Sequence, residues 1–241
     1  IGMIDGGIAA HPSLAGARIV QRGFVAGAPQ GSGHGTAIAS LLVGKDGSFR
    51  GAAVGHALLA AGGYGGKPAA GSAEAIAQAL GWLTASGAEV VNISLVGPPN
   101  RLLARAVEIS RGRGVVIVAA VGNDGPAAPP MYPASYPGVI AVTGVDARDR
   151  ALVEAGRAEH LHFAAPGADM VAALPGKGYM AVRGTSFAAP LVAARFAAAT
   201  GTPAIRGKSV AAEAVPGRGK VGHGIVCKPC RNAPGDVLAK K

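Results

Sequence analysis

Acyl-transfer chemistry at neutral pH asks for four residue types: a hydroxyl nucleophile, an imidazole to take its proton, a carboxylate to orient that imidazole, and a donor for the oxyanion. The 241-residue sequence carries one well-set candidate for each. Ser186 lies in Gly184-Thr185-Ser186-Phe187-Ala188-Ala189-Pro190. There a glycine allows close approach, and a run of small residues favours a tightly packed helix behind the hydroxyl. His34 stands in Gly33-His34-Gly35-Thr36, directly before an apolar stretch, and the flanking glycines leave the imidazole room to face a partner. Asp5 closes the apolar Met3-Ile4 with Gly6-Gly7 behind it, and Asn123 follows Ala119-Ala120-Val121-Gly122. Taken singly, each is also an ordinary strand-end, turn or helix-start residue.

The elements that must position these four are legible as periodicities. Ile1-Gly2-Met3-Ile4 reads as a short buried strand delivering Asp5, and Val115 to Ala120 as a continuous apolar strand buried on both faces that delivers Gly122 and Asn123. Ala37 to Val43 reads as a buried helix closed by Gly44. Further strands are expected in Ala17–Val20, Gly51–Ala61, Val90–Leu95, Val139–Val145 and His160–Phe163. Ser72 is expected to cap a helix whose stripe is Ile76, Leu80 and Leu83, and Asn100 one that stops at the Gly112–Gly114 turn. Tyr64 to Lys67 reads as loop. Strands alternating with apolar helices imply an α/β fold: a mostly parallel central sheet with helices on both faces, and a cleft at the carboxyl ends of the strands.

The order Asp5, His34, Asn123, Ser186, each in that setting, resembles the subtilisin-like (subtilase) serine peptidases, from about Ile1 to Val226. The resemblance implies the subtilisin-like three-layer sandwich and peptide-bond hydrolysis. Ser186 would be the nucleophile, His34 the acid–base and Asp5 its orienting partner, with Asn123 and the Ser186 N–H as the oxyanion site. It also implies that Ser94, Leu95, Val96 and Gly97 pair with an extended substrate backbone, with Val96 where the family usually has glycine, a change that would narrow the cleft. Ala120 and Gly122 join this uncharged wall, so apolar or medium-sized residues are expected before the cut. Ala37 stands where the family usually has a second histidine, which leaves the base in place. By the same resemblance the sequence lacks its native N-terminal segment, the precursor carries a prosegment, and the protein is secreted or otherwise extracytoplasmic.

Composition narrows the alternatives. With 49% hydrophobic and 15% charged residues, one folded domain over 1–226 is expected, followed by a basic tail over 227–241, mobile from Arg231 onward. The net charge of +10 comes from scattered lysines and arginines, which reads as a solvated basic surface rather than a nucleic-acid site. No apolar run is long enough to span a bilayer. Cofactors and metals are not expected. The 44–51 segment offers only Asp46 and Ser48 where many relatives hold calcium, and His160 and His162 lack a third zinc ligand. For Cys227 and Cys230, a local disulfide and two free thiols are both open. An inactive relative that keeps the cleft as a peptide-binding module, and a basic interaction protein, stay as alternatives to the enzyme.

Overall fold

The computed structural model describes residues 1–27, 29–63 and 72–238; the loop expected over Tyr64–Lys67 lies outside the described residues. In chain order the strands are β1 (Gly2–Asp5), β2 (Gly7–Ile8), β3 (Ile19–Gly23), β4 (Gly31–Ser32), β5 (Lys45–Asp46), β6 (Phe49–Arg50), β7 (Leu58–Gly62), β8 (Val90–Ile93), β9 (Val116–Ala120), β10 (Ile140–Val145), β11 (Phe163–Pro166), β12 (Met170–Ala173) and β13 (Tyr179–Val182). The helices are α1 (Gly33–Val43), α2 (Ala73–Ala85), α3 (Arg101–Gly112), α4 (Thr185–Ala198), α5 (Pro203–Ala212) and α6 (Pro234–Leu238).

Seven strands form one sheet in the order β11-β10-β9-β8-β1-β7-β3, with every pairing parallel. A parallel sheet needs cover on both faces because its strands are apolar throughout. All residues of β1, β8 and β9 are buried. On one face Ile38, Leu41, Leu191, Val192 and Phe196 of α1 and α4 pack on the sheet. On the other, Leu80 and Leu83 of α2 and Leu103 and Val107 of α3 pack against Ile4, Ile93 and Ile117. The result is the expected three-layer α/β sandwich. Because the strands are parallel, Asp5, Ser94 and Asn123 emerge from the same edge of the neighbouring strands β1, β8 and β9.

Several local expectations change. His160–His162 lie outside the strand, which begins at Phe163. His160 Nε2 donates to Val139 O at 2.9 Å, and His162 Nδ1 accepts from Ala141 N–H at 3.2 Å, so both work as structural side chains. Burial, with His160 and His223 alongside, pulls the His162 pKa down to about 4. The antiparallel hairpin β12–β13 and helix α5 carry too few regularly spaced apolar residues to be read from periodicity.

The segment after Val226 departs most from expectation. Of the two states left open for Cys227 and Cys230, the disulfide is the one formed. Arg231 onward is packed rather than mobile as far as the structure is described. The Asn232 amide accepts from Arg50 N–H and donates to Arg50 O, both at 3.0 Å, and Asn232 O accepts from Val171 N–H at 2.8 Å. Val237 of α6 is buried. Three hydrogen bonds of Asn232 and the buried Val237 hold the segment whose polar composition pointed to a tail. In the 44–51 hairpin the Asp46 carboxylate accepts from Tyr179 OH at 2.9 Å, and Ser48 Oγ donates to Asp236 O at 2.7 Å. Among the described residues no helix is long and apolar enough to cross a membrane.

Candidate active site

Asp5 ends β1 fully buried, with Gly6 N–H donating to its Oδ1 at 2.7 Å. Helix α1 brings His34 to it. Ser32 caps α1 by accepting Gly35 N–H at 2.9 Å, and Thr36 Oγ1 accepts from Ala9 N–H at 2.9 Å, which ties the first turn to the strand that follows Asp5. Gly35 is required by the closeness of this approach, since a Cβ there would stand 2.5 Å from Gly6 O. His34 Nδ1 consequently lies 2.9 Å from both Asp5 oxygens. A carboxylate only accepts, so Nδ1 carries the proton and Nε2 is left as the acceptor. Burial disfavours the His34 imidazolium, but the Asp5 charge and hydrogen bond outweigh that and hold its pKa above the ordinary 6.5.

Ser186 is the second residue of α4, on the first turn, where backbone N–H groups have no intrahelical acceptor and the helix dipole favours negative charge. Gly184, at φ +141°, forms the entry to this turn. A Cβ there would come within 3.2 Å of Asn123 Nδ2. Asn123 itself is oriented by Thr185, whose N–H donates to Asn123 Oδ1 at 2.9 Å. That bond identifies the oxygen and leaves Nδ2 as the side chain's donor. Thr185 Oγ1 also donates to Gly122 O at 3.1 Å, joining the nucleophile turn to the loop after β9. The His34 ring lies 5.5 Å from the ring of Phe187, the neighbour of Ser186. The Ser186 hydroxyl donates to Ser94 O at 3.3 Å.

The remaining sequence candidates line the same edge. Ser94 is buried and its Oγ donates to Ser186 O at 2.9 Å. Leu95 is half-buried and Val96 exposed. Gly97 exchanges both backbone hydrogen bonds with Tyr132, at 2.8 and 2.9 Å. Gly122 adopts φ +88°, and a Cβ on it would meet Val96 at 3.5 Å, so Val96 closes over this point of the wall. Ala120 is fully buried in the core and sits behind the wall rather than on it. Thr185 and Asn92 escaped the sequence reading. Thr185 was visible as part of the serine motif, and Asn92 as the lone polar residue in the apolar run Val90–Ile93.

Residues 1–210 match the Subtilase family. The chain is 36% identical over 201 residues to Subtilisin Savinase of Lederbergia lenta, covering 80% of this chain and 72% of that protein. It is equally 36% identical over 201 residues to the alkaline protease of Alkalihalobacillus alcalophilus, covering 80% of this chain. The match spans about half of that relative's length, 51%. Among solved structures, the self-cleaved protease domain of PatA superposes with a TM-score of 0.82 at 27% identity, covering 99% of this chain and 94% of that one. A cold adapted subtilisin-like serine proteinase gives 0.81 at 25% identity, covering 93% and 85%. The chain belongs to the subtilase family of serine peptidases.

Proposed function

We propose that the protein is a serine endopeptidase that cuts peptide or protein substrates through an acyl-enzyme. Ser186 attacks the scissile carbonyl, and His34 Nε2 takes its proton and returns it to the leaving amine. Asp5 fixes the tautomer and stabilises the imidazolium, and Asn123 Nδ2 with the Ser186 N–H receives the oxyanion. The observation that carries this reading is the fully buried Asp5 with both oxygens 2.9 Å from His34 Nδ1, which puts the proton on Nδ1 and leaves Nε2 as the acceptor. Residues 1–226 form the peptidase domain in this reading. The backbone of Ser94–Val96 pairs with the substrate chain, while that of Gly97 is already paired with Tyr132. The uncharged surface of Leu95, Val96 and Gly122 selects apolar or medium-sized residues before the cut, so a cleavage profile dominated by charged residues there would contradict it.

An extracytoplasmic place of action fits the Cys227–Cys230 disulfide, since such bonds persist in oxidising compartments. It also fits the 31% identity over 206 residues to a Bacillus subtilis protein named minor extracellular protease Epr. The test is hydrolysis of a fluorogenic peptide by the parent and by Ser186→Ala. The parent turns over, and the variant, folded, falls by about 10⁶ in kcat, a magnitude taken from subtilisin itself. A folded Ser186→Ala protein cutting at the parental rate would overturn the assignment. Parental binding without cutting would favour a peptide-binding module.

A further inference from the structure

Ser186 stands four residues before Pro190, inside α4. In an α-helix the carbonyl of residue i accepts from the N–H of residue i+4, and proline has no N–H to give. Ser186 O therefore loses its helical partner at the residue whose hydroxyl must be held in place, and the proline ring crowds the same carbonyl. The structure fills the gap from the residue that follows β8. Ser94 Oγ donates to Ser186 O at 2.9 Å. Ser94 Oγ in turn accepts from Asn92 Nδ2 at 3.0 Å.

The direction of this chain is fixed by proton counting. A serine hydroxyl has one proton, and Ser94 spends it on Ser186 O, so towards Asn92 it can only accept. Asn92 must then turn its Nδ2 to Ser94. Its Oδ1 is left buried with no hydrogen-bond partner, on a side chain with 0% exposure. An orphaned buried amide oxygen has given up its water without a replacement, and such a group in a folded protein calls for an explanation. The alternative amide orientation would put two acceptors face to face at Ser94.

We propose that Asn92 and Ser94 form a positioning relay for the nucleophile: a hydrogen-bonded prop, anchored in the central sheet, that replaces the helix bond Pro190 cannot make and sets the backbone of Ser186. The proposal rests on the reading of Ser186 as nucleophile. Neither residue exchanges a proton with substrate. Ser94 acts through its side chain on the Ser186 carbonyl, separately from any pairing of its main chain with a substrate. The relay ties the helix carrying Ser186 to β8, the neighbour of the strand that carries Asp5, and so fixes the nucleophile relative to Asp5 across two layers of the fold.

The test is a double-mutant cycle between Ser94→Ala and Pro190→Ala, with kcat expressed per active site titrated by a fluorophosphonate and the labelled residue located by mass spectrometry. Ser94→Ala lowers kcat about tenfold, with KM within about twofold and the acid limb of the pH profile unmoved, because His34 is untouched. In the Pro190→Ala background residue 190 offers an N–H to Ser186 O, and the same Ser94→Ala change costs no more than about twofold. A merely structural loss would lower the titratable fraction and would not be rescued by Pro190→Ala. Should Ser94→Ala fail to fold, Asn92→Ala, which removes the donor to Ser94 Oγ, enters the same cycle and must show the same rescue. Equal losses in both backgrounds, with Ser186 still labelled, overturn the relay alone. Absence of label on Ser186 overturns the nucleophile assignment and the relay with it.

Discussion

The two halves of the proposed site are held by different forces. The base half, Asp5 and His34, is a charge pair: a carboxylate at zero exposure facing an imidazole whose side chain is 33% exposed. Burial and Coulomb attraction act on the same proton there, and the balance sets a pKa. The nucleophile half, Ser186 with Asn123, Thr185 and Ser94, contains no charge. It is fixed by neutral hydrogen bonds between backbone and side chains at the start of α4. The contrast teaches that the site separates tuning from placement. pH acts on one half, and geometry, set by bonds worth about 1 kcal/mol each, acts on the other.

Asp5→Asn should break the base half most deeply. The amide cannot hold His34 in the productive tautomer, and turnover is expected to fall by about 10⁴, the magnitude known for the equivalent change in a chymotrypsin-type triad. The sign of the pH effect also follows. Asp5 raises the His34 pKa, and catalysis needs neutral His34, so the parent loses activity as pH falls through a value above 6.5. In Asp5→Asn the acid limb of the residual activity moves to lower pH. A pH–rate profile of kcat/KM checks both, and an unmoved limb would separate His34 from Asp5.

Asn123→Ala attacks the other half. It removes the proposed oxyanion donor and is expected to cost about 10² to 10³ in kcat with little change in KM, a magnitude again from subtilisin itself. Its acid limb should coincide with that of the parent. A shift there, measured in the same profiles, would show that the two halves are not separable. The mildest expected effect is that of Thr185→Val, which keeps the shape but deletes the bond to Gly122 O. Less than about tenfold in kcat should be lost, with no pH shift, in steady-state assays.

The separation of halves also explains what was legible in the sequence. Asp5, His34, Asn123 and Ser186 could be read because each sits where an apolar run meets glycines, and a parallel α/β sheet sends such junctions to one edge. The supports were less visible. Thr185 and Asn92 act by hydrogen bonds between segments far apart in the chain: Thr185 N–H to Asn123 Oδ1, and Asn92 through Ser94 to Ser186 O. Periodicity does not encode such partners. The same reason hid the packing of Asn232 on Arg50, 182 residues away. The hairpin β12–β13 was missed differently. Its second strand has buried Val182 but exposed Met180 and Ala181, so the alternation that marks a half-buried strand is absent.

The account stands most directly on the reactivity of one hydroxyl among the serines of this chain. The measurement is reaction of the folded parent with a fluorophosphonate, followed by peptide mapping of the adduct. The account expects a single adduct on Ser186, forming more slowly as pH falls and His34 takes up a proton, and lost in Ser186→Ala. An adduct on another serine, or none on a folded protein that still hydrolyses peptides, would contradict it.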